Sequence, residues 1–275
     1  EIVALYYDIK PLFRVGISSL NLKLFKNTLS ELGFKFKIIE SAKSKAPNRN
    51  NPTCLISKSE EMLNKYNIAE INRMNTNNST TISLIGKYLG YPSCCIKEYT
   101  KNLFIGKNEN LPFDILSNTK GRLDFRLNFL YNFESRNFNP QEYSRISESY
   151  RLSNMYLIPH KPCSLNCKES IKYAQKIIDI LKRDFPEYYR ELISFLKKPV
   201  LFYSDFVFFP LIGKMEGDIL SYQGFLKIHD RLPIEIVKLL NKGNLIKRKN
   251  NNLQIYKDRR YIDKLSSSVK LFNFE

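Results

Sequence analysis

Val200-Leu201-Phe202-Tyr203-Ser204-Asp205-Phe206-Val207-Phe208-Phe209 is the stretch at which this chain changes character. Two four-residue runs of apolar and aromatic residues flank one polar pair, the pattern of strands rather than of a helix. Residues 213–218 carry two glycines and two carboxylates and read as a turn, after which Ile219-Leu220-Ser221-Tyr222 supplies another strand. The region from Pro199 onward is therefore expected to be an antiparallel meander.

Upstream of that boundary the period is helical. Ser164 reads as an N-cap, Ile171, Ala174, Ile178 and Leu181 form one apolar face, and Pro186 opens a second helix bearing Tyr189, Leu192, Ile193 and Leu196. Downstream, residues 233–240 predict one more helix ended by Gly243, and residues 244–248 and 253–256 read as a hairpin around three asparagines.

Toward the N-terminus, Leu20 to Leu32, Gly33 and residues 34–39 read as helix, glycine cap and strand. Cys54-Leu55-Ile56 gives a second short strand after a polar turn at 48–52. Residues 72–80 are polar and read as a linker or exposed loop, Ile82, Leu84, Ile85 and Leu89 as a helix ending at Gly90, and residues 108–121 as a loop.

The expected fold class is α+β. A small α/β unit (1–71) precedes a helical, cysteine-bearing middle (79–197) and a C-terminal antiparallel β meander with hairpin (198–275).

Four of the five cysteines fall in two tight groups, Gly90-Tyr91-Pro92-Ser93-Cys94-Cys95 and His160-Lys161-Pro162-Cys163-Ser164-Leu165-Asn166-Cys167. Each follows a proline and precedes a helical run, which places it at a helix start, where backbone N–H groups and the dipole stabilise a thiolate. An odd number of cysteines in a chain long enough to build its own core fits a disulfide framework poorly. Metal ligation is the expectation, with Cys94, Cys95, Cys163 and Cys167 as ligands and His160 as catalytic group or further ligand. Thiol redox chemistry or plain packing are the alternatives.

The type of metal follows less directly. Adjacent residues on a helix point about 100° apart, which makes Cys94 and Cys95 awkward partners on one tetrahedral zinc and favours an iron–sulfur cluster, whose separate irons accept adjacent cysteines. Zinc remains the alternative cofactor, in a Cys3His site of Cys94 or Cys95 with Cys163, Cys167 and His160. His229, beside Asp230, reads as a surface residue.

The two cysteine motifs together resemble the paired signature of a mainly archaeal family of unknown function, which implies that the four cysteines and His160 form one site. The Cys94-Cys95 pair is also similar to the dipeptide with which epoxyqueuosine reductases hold an iron–sulfur cluster, although the rest of their pattern is absent.

A formal charge of +17 and a pI near 9.5 point to RNA or another polyanion as partner, while lysine enrichment from AT-rich coding is the alternative. Lys242, Lys247, Arg248, Lys249, Arg259 and Arg260 crowd the predicted helix and hairpin as nucleic-acid-binding candidates. A helix followed by a basic hairpin resembles the wing of a winged-helix module, with Tyr256 or Tyr261 placed to stack on a base, but the lack of an obvious recognition helix favours an ordinary hairpin with a solvated basic face.

The most apolar stretch, 200–212, is too short to span a bilayer, and the N-terminus lacks the order of a signal peptide, so no membrane and a cytoplasmic, reducing location are expected. The function these features point to is a redox or sulfur-chemistry metalloenzyme acting on RNA or a small molecule. The alternative is a zinc-stabilised nucleic-acid-binding module without enzymatic activity.

Overall fold

The computed structural model describes residues 2–16, 22–39, 53–76, 78–104, 114–116, 118–130, 155–204, 207–226, 233–250 and 252–275. His229, the 48–52 turn and half of the 108–121 loop lie outside them, and residues 114–116 form one helical turn. The chain divides into two compact units, Glu1–Gly106 and Lys107–Glu275.

The first unit is built on a three-stranded antiparallel sheet. Its strands are β1 (Phe13–Gly16), β2 (Lys35–Ile39) and β3 (Thr53–Ser57), in the order β1-β3-β2, so the strand latest in sequence lies at the centre. Successive residues of β3 enter different cores, as the two-residue period of a strand requires. Leu55 packs with Leu12, Leu63 and Tyr66, whereas Cys54 and Ile56 pack with Leu5, Leu29 and Phe34. The second face is covered by α1 (Ile2–Tyr6) and α2 (Leu22–Glu31), the first by α3 (Glu60–Thr76) and α4 (Ser79–Tyr88), which is followed by α5 (Ser93–Phe104).

The expected linker at 72–80 is not one. Helix α3 runs through Thr76, and the Asn78 side chain caps α4 by accepting from the Thr81 backbone N–H at 2.8 Å. The polarity there belongs to a solvated helix end and to a capping side chain.

The second unit holds helices α6 (Lys168–Asp184), α7 (Pro186–Leu196) and α8 (Ile234–Lys242). Its seven-stranded antiparallel sheet has the order β10-β4-β5-β6-β7-β8-β9. The strands are β4 (Val200–Ser204), β5 (Val207–Glu216), β6 (Ile219–Phe225), β7 (Leu245–Lys249), β8 (Asn252–Lys257), β9 (Arg260–Lys264) and β10 (Lys270–Phe272). The fold is α+β, as expected.

Three local expectations shift. The turn placed at 213–218 contracts to Gly217 and Asp218, because β5 continues to Glu216, which pairs with Ile219. Gly213 sits at a register shift within the strand, where a Cβ would come 2.2 Å from the Ser221 carbonyl oxygen. The basic hairpin β7–β8 is not a free wing, since β7 pairs with β6 and β8 with β9, so it is internal to the sheet. Helix α6 starts at Lys168 with Cys167, not Ser164, as its N-cap.

Among the described residues no helix is long and apolar enough to cross a membrane.

Candidate metal centre

Gly90-Tyr91-Pro92-Ser93-Cys94-Cys95 is a turn between two helices whose geometry its own residues dictate. Helix α4 ends in a Schellman motif: the Tyr91 N–H donates to the Gly86 carbonyl (3.0 Å) and the Gly90 N–H to that of Lys87 (2.9 Å). The motif needs a left-handed residue, and Gly90 has φ +73°.

A side chain at position 90 would also meet the Cδ of Pro11 at 2.9 Å and the Cβ of Lys10 at 3.3 Å. Lys10 is buried, with its ammonium 5.8 Å from the ring centre of Tyr91 and 5.5 Å from that of Phe13. At Gly86 a Cβ would lie 2.8 Å from the Ile96 side chain, so the absence of one lets α4 and α5 approach closely.

Pro92 cannot continue α4 and its carbonyl accepts the first bond of α5, from Ile96 at 3.0 Å. Cys94 and Cys95 are thereby the second and third residues of α5, within the first turn as the sequence predicts. Their sulfurs lie 3.9 Å apart.

The second cysteine segment is fixed from outside itself. Leu165 is buried, its N–H donates to Thr119 Oγ1 (2.7 Å), and its carbonyl accepts from the Asp124 N–H (2.9 Å). Asn166 donates to the Lys120 carbonyl, and Ser164 Oγ to Asn166 Oδ1 (2.9 Å). Asp124 in turn holds Arg126 in a paired contact at 2.8 and 2.6 Å, and Arg126 reaches Gln175 on α6 at 2.9 Å. These tethers hold residues 163–166 out of helical conformation, which is why α6 begins only after Cys167. Cys167 makes no capping hydrogen bond through its sulfur, which stands at the positive end of a 17-residue helix.

The sulfurs of Cys94, Cys95, Cys163 and Cys167 all lie within 4.8 Å of one another. Cys95 and Cys167 are 2% and 6% exposed, and Cys94 and Cys163 are half-buried. Four thiol sulfurs so placed could hold a metal ion. Cys54 stands apart, buried in β3 with its thiol on the Leu55 carbonyl (3.6 Å) and pushed up to about 11 by burial, a shift that nearby Lys26 opposes.

His160 is 4% exposed. Its Nε2 is 2.8 Å from Ser170 Oγ on α6, and its ring meets Tyr173 edge-on at 5.8 Å. It is not among the grouped sulfur ligands. Thr119, Asp124 and Gly86, which position the cysteine segments, are absent from the residues predicted for this site, because nothing in their local sequence marks a contact so distant along the chain.

The nucleic-acid candidates lie on one helix, one strand and one turn of the second unit. Lys242 ends α8, Lys247, Arg248 and Lys249 lie on β7, and Arg259 and Arg260 lie at the β8–β9 turn. Arg248 donates to the Leu271 carbonyl at 2.9 Å and is 3.9 Å from Asp218.

No curated protein and no solved structure matches the chain. A family model described as a protein of unknown function (DUF483) matches residues 56–197, just over half of the chain, including all four clustered cysteines and His160, and the chain belongs to that family.

Proposed function

We propose that this is a metalloprotein in which Cys94, Cys95, Cys163 and Cys167 together hold a single tetrahedral ion, zinc, in a structural role. The observation that carries the reading is the spacing of the sulfurs. Thiolates about 2.3 Å from one ion at tetrahedral angles stand about 3.8 Å from each other. The Cys94–Cys95 separation of 3.9 Å matches that edge, and the 4.8 Å limit for the whole group needs only a small contraction.

A four-iron cluster makes a different demand. Each thiolate binds its own iron, which spreads the sulfurs to roughly 6 Å. The obstacle foreseen for adjacent helical cysteines is set against the observed separation: although Cys94 and Cys95 are neighbours in the first turn of α5, their sulfurs stand 3.9 Å apart.

Four protein ligands leave no open position for substrate or water, the arrangement of structural rather than catalytic zinc. His160 acts in this reading as a positioning residue, its bond to Ser170 holding the segment before Cys163 against α6.

Metal analysis and absorbance of protein purified without oxygen test the proposal. One zinc per chain, colourless, replaceable by cobalt with thiolate charge-transfer bands, is the expected result. Broad brown absorbance with several irons and labile sulfide per chain would overturn it and return the site to redox or sulfur chemistry. A metal-free preparation that does not take up zinc would overturn metal ligation altogether.

A further inference from the structure

The pairing registers of the second unit sort the residues of β5 to β9 onto two faces. Directly opposed residues of an antiparallel pair project to the same side. Leu220 opposes Ile246, which opposes Ile255; all three are buried in the core with Ile236 and Leu240 of α8. The other face carries two cross-strand rows. One runs Lys214, Ser221, Leu245, Tyr256, Tyr261, and the next Glu216, Ile219, Lys247, Gln254, Lys264.

The composition of this outer face is unlike that of a merely solvated one. Tyr256 and Tyr261 meet edge to face at 5.7 Å, Tyr261 is 55% exposed, and the Lys247 ammonium lies 4.8 Å over the Tyr256 ring. Lys214, Lys247 and Lys264 lie on the two rows, with Lys249 one step beyond; Glu216 is the carboxylate of those rows, and Asp258 lines the groove beside them. The Lys214–Glu216 contact (2.9 Å) is between exposed groups, where an ion pair contributes little and opens readily. Beside the first row a shallow groove of about 610 Å3, lined in part by Lys214, Ser221, Asn244 and Arg259, continues the face. Arg259 is held there at φ +72°, a conformation that favours glycine.

We propose that this outer face binds single-stranded nucleic acid, with bases stacked on Tyr261 and Tyr256 and phosphates neutralised by Lys214, Lys247, Lys249, Lys264 and Arg259. Four strand-to-strand steps of about 4.8 Å give a platform roughly 19 Å wide, on which an extended strand can lie across the sheet. Unpaired bases offer the π-faces that such rings stack on, whereas a duplex hides them. The lysines supply the charge complementarity. Arg248 belongs to the opposite face with Ile246 and ties β7 to β10, so it is no part of this surface.

The test is fluorescence anisotropy with labelled oligouridylate and oligoadenylate of about 12 nucleotides, at several salt concentrations. Duplex of the same length and anionic phosphatidylserine vesicles serve as competing probes. The wild-type protein should bind the single strands with salt-dependent affinity and prefer them to duplex. Tyr261→Ala should weaken binding by roughly fivefold to a hundredfold, and Tyr261→Phe should restore it. Lys247→Gln with Lys264→Gln should lower the log–log salt slope by about 0.7 per lysine.

Lys172→Gln, an exposed lysine of α6 paired with Glu169, should bind as wild type. Circular dichroism of each variant shows whether it folds, and the lysine pair carries the test should Tyr261→Ala unfold. No binding at low salt, equal binding by all variants, or preference for duplex or vesicles would each overturn the proposal. Metal content is independent of this face, so the outcome does not depend on the identity of the ion.

Discussion

The sulfurs of Cys94 and Cys95, neighbours in the chain, stand 3.9 Å apart in the first turn of α5, at the distance two ligands of one tetrahedral ion require. If they share an ion with Cys163 and Cys167, each sulfur is indispensable. Cys163→Ser and Cys167→Ser are expected to lower metal affinity by more than the roughly 10–100-fold that loss of a supporting residue costs, and to lower the melting temperature, because ligation energy is folding energy. Cys54→Ser should leave the metal content at the wild-type value. Metal analysis after dialysis against a chelator distinguishes these, and equal retention by all three variants would sink the four-cysteine site.

The turn that presents Cys94 and Cys95 depends on Gly90 in two ways, and a comparison with Gly33 separates them. Both have positive φ, +73° and +74°, but a Cβ at Gly33 meets open space while one at Gly90 meets Pro11 and Lys10. Gly33→Ala is expected to cost about 1 kcal/mol from backbone strain alone. Gly90→Ala adds a steric term and should cost about 2–4 kcal/mol. Urea unfolding of the two variants measures the difference; equal costs would mean that the Pro11 contact yields without effect.

His160 separates positioning from ligation. Replacing Ser170 by Ala removes the partner of its Nε2, and the buried hydrogen bond is expected to cost about 1–3 kcal/mol. His160→Gln should destabilise by a similar amount while still binding one zinc per chain with an unchanged cobalt spectrum. A changed spectrum in His160→Gln would make the histidine a ligand instead.

Much of this was readable because the relevant signals are local. Pro186 at the first position of α7, the apolar stripe of α6 and the aromatic runs of β4 and β5 each declare their element within a few residues. Proline before cysteine likewise located Cys94 and Cys95 at a helix start.

What stayed hidden depends on partners far away in sequence. Helix α3 was missed because its buried stripe is Leu63, Tyr66, Ala69 and Glu70, and the charged member is made tolerable by Arg73 at 2.8 Å and Arg14 at 3.5 Å. Strand β9 is exposed throughout most of its length and shows no apolar alternation. The central place of β3 is a matter of pairing, which periodicity does not encode. For the site, the residue types pointed to metal ligation, but the choice between one ion and a cluster turns on sulfur separations that only the fold sets.

Cys54 gives the chain a pH dependence with a definite sign. Burial disfavours its thiolate, so the folded state holds the proton up to about 11 against an ordinary value near 9. Below about pH 9 the thiol is protonated whether the chain is folded or not, and its contribution is constant. Between about 9 and 11 the unfolded chain releases the proton and the folded chain keeps it, so stability falls as pH rises through this window. Tyr222, pushed up to about 12 by burial, acts in the same direction at higher pH. Cys54→Ala leaves a cavity in the core and lowers stability at every pH, so the slope is the quantity to compare. Urea midpoints from about pH 8 to about pH 10.5 should decline less steeply in Cys54→Ala than in wild type, with the Tyr222 contribution common to both. Parallel declines would show that ionisation of Cys54 is not coupled to unfolding, and that its burial in β3 does not hold the thiol protonated.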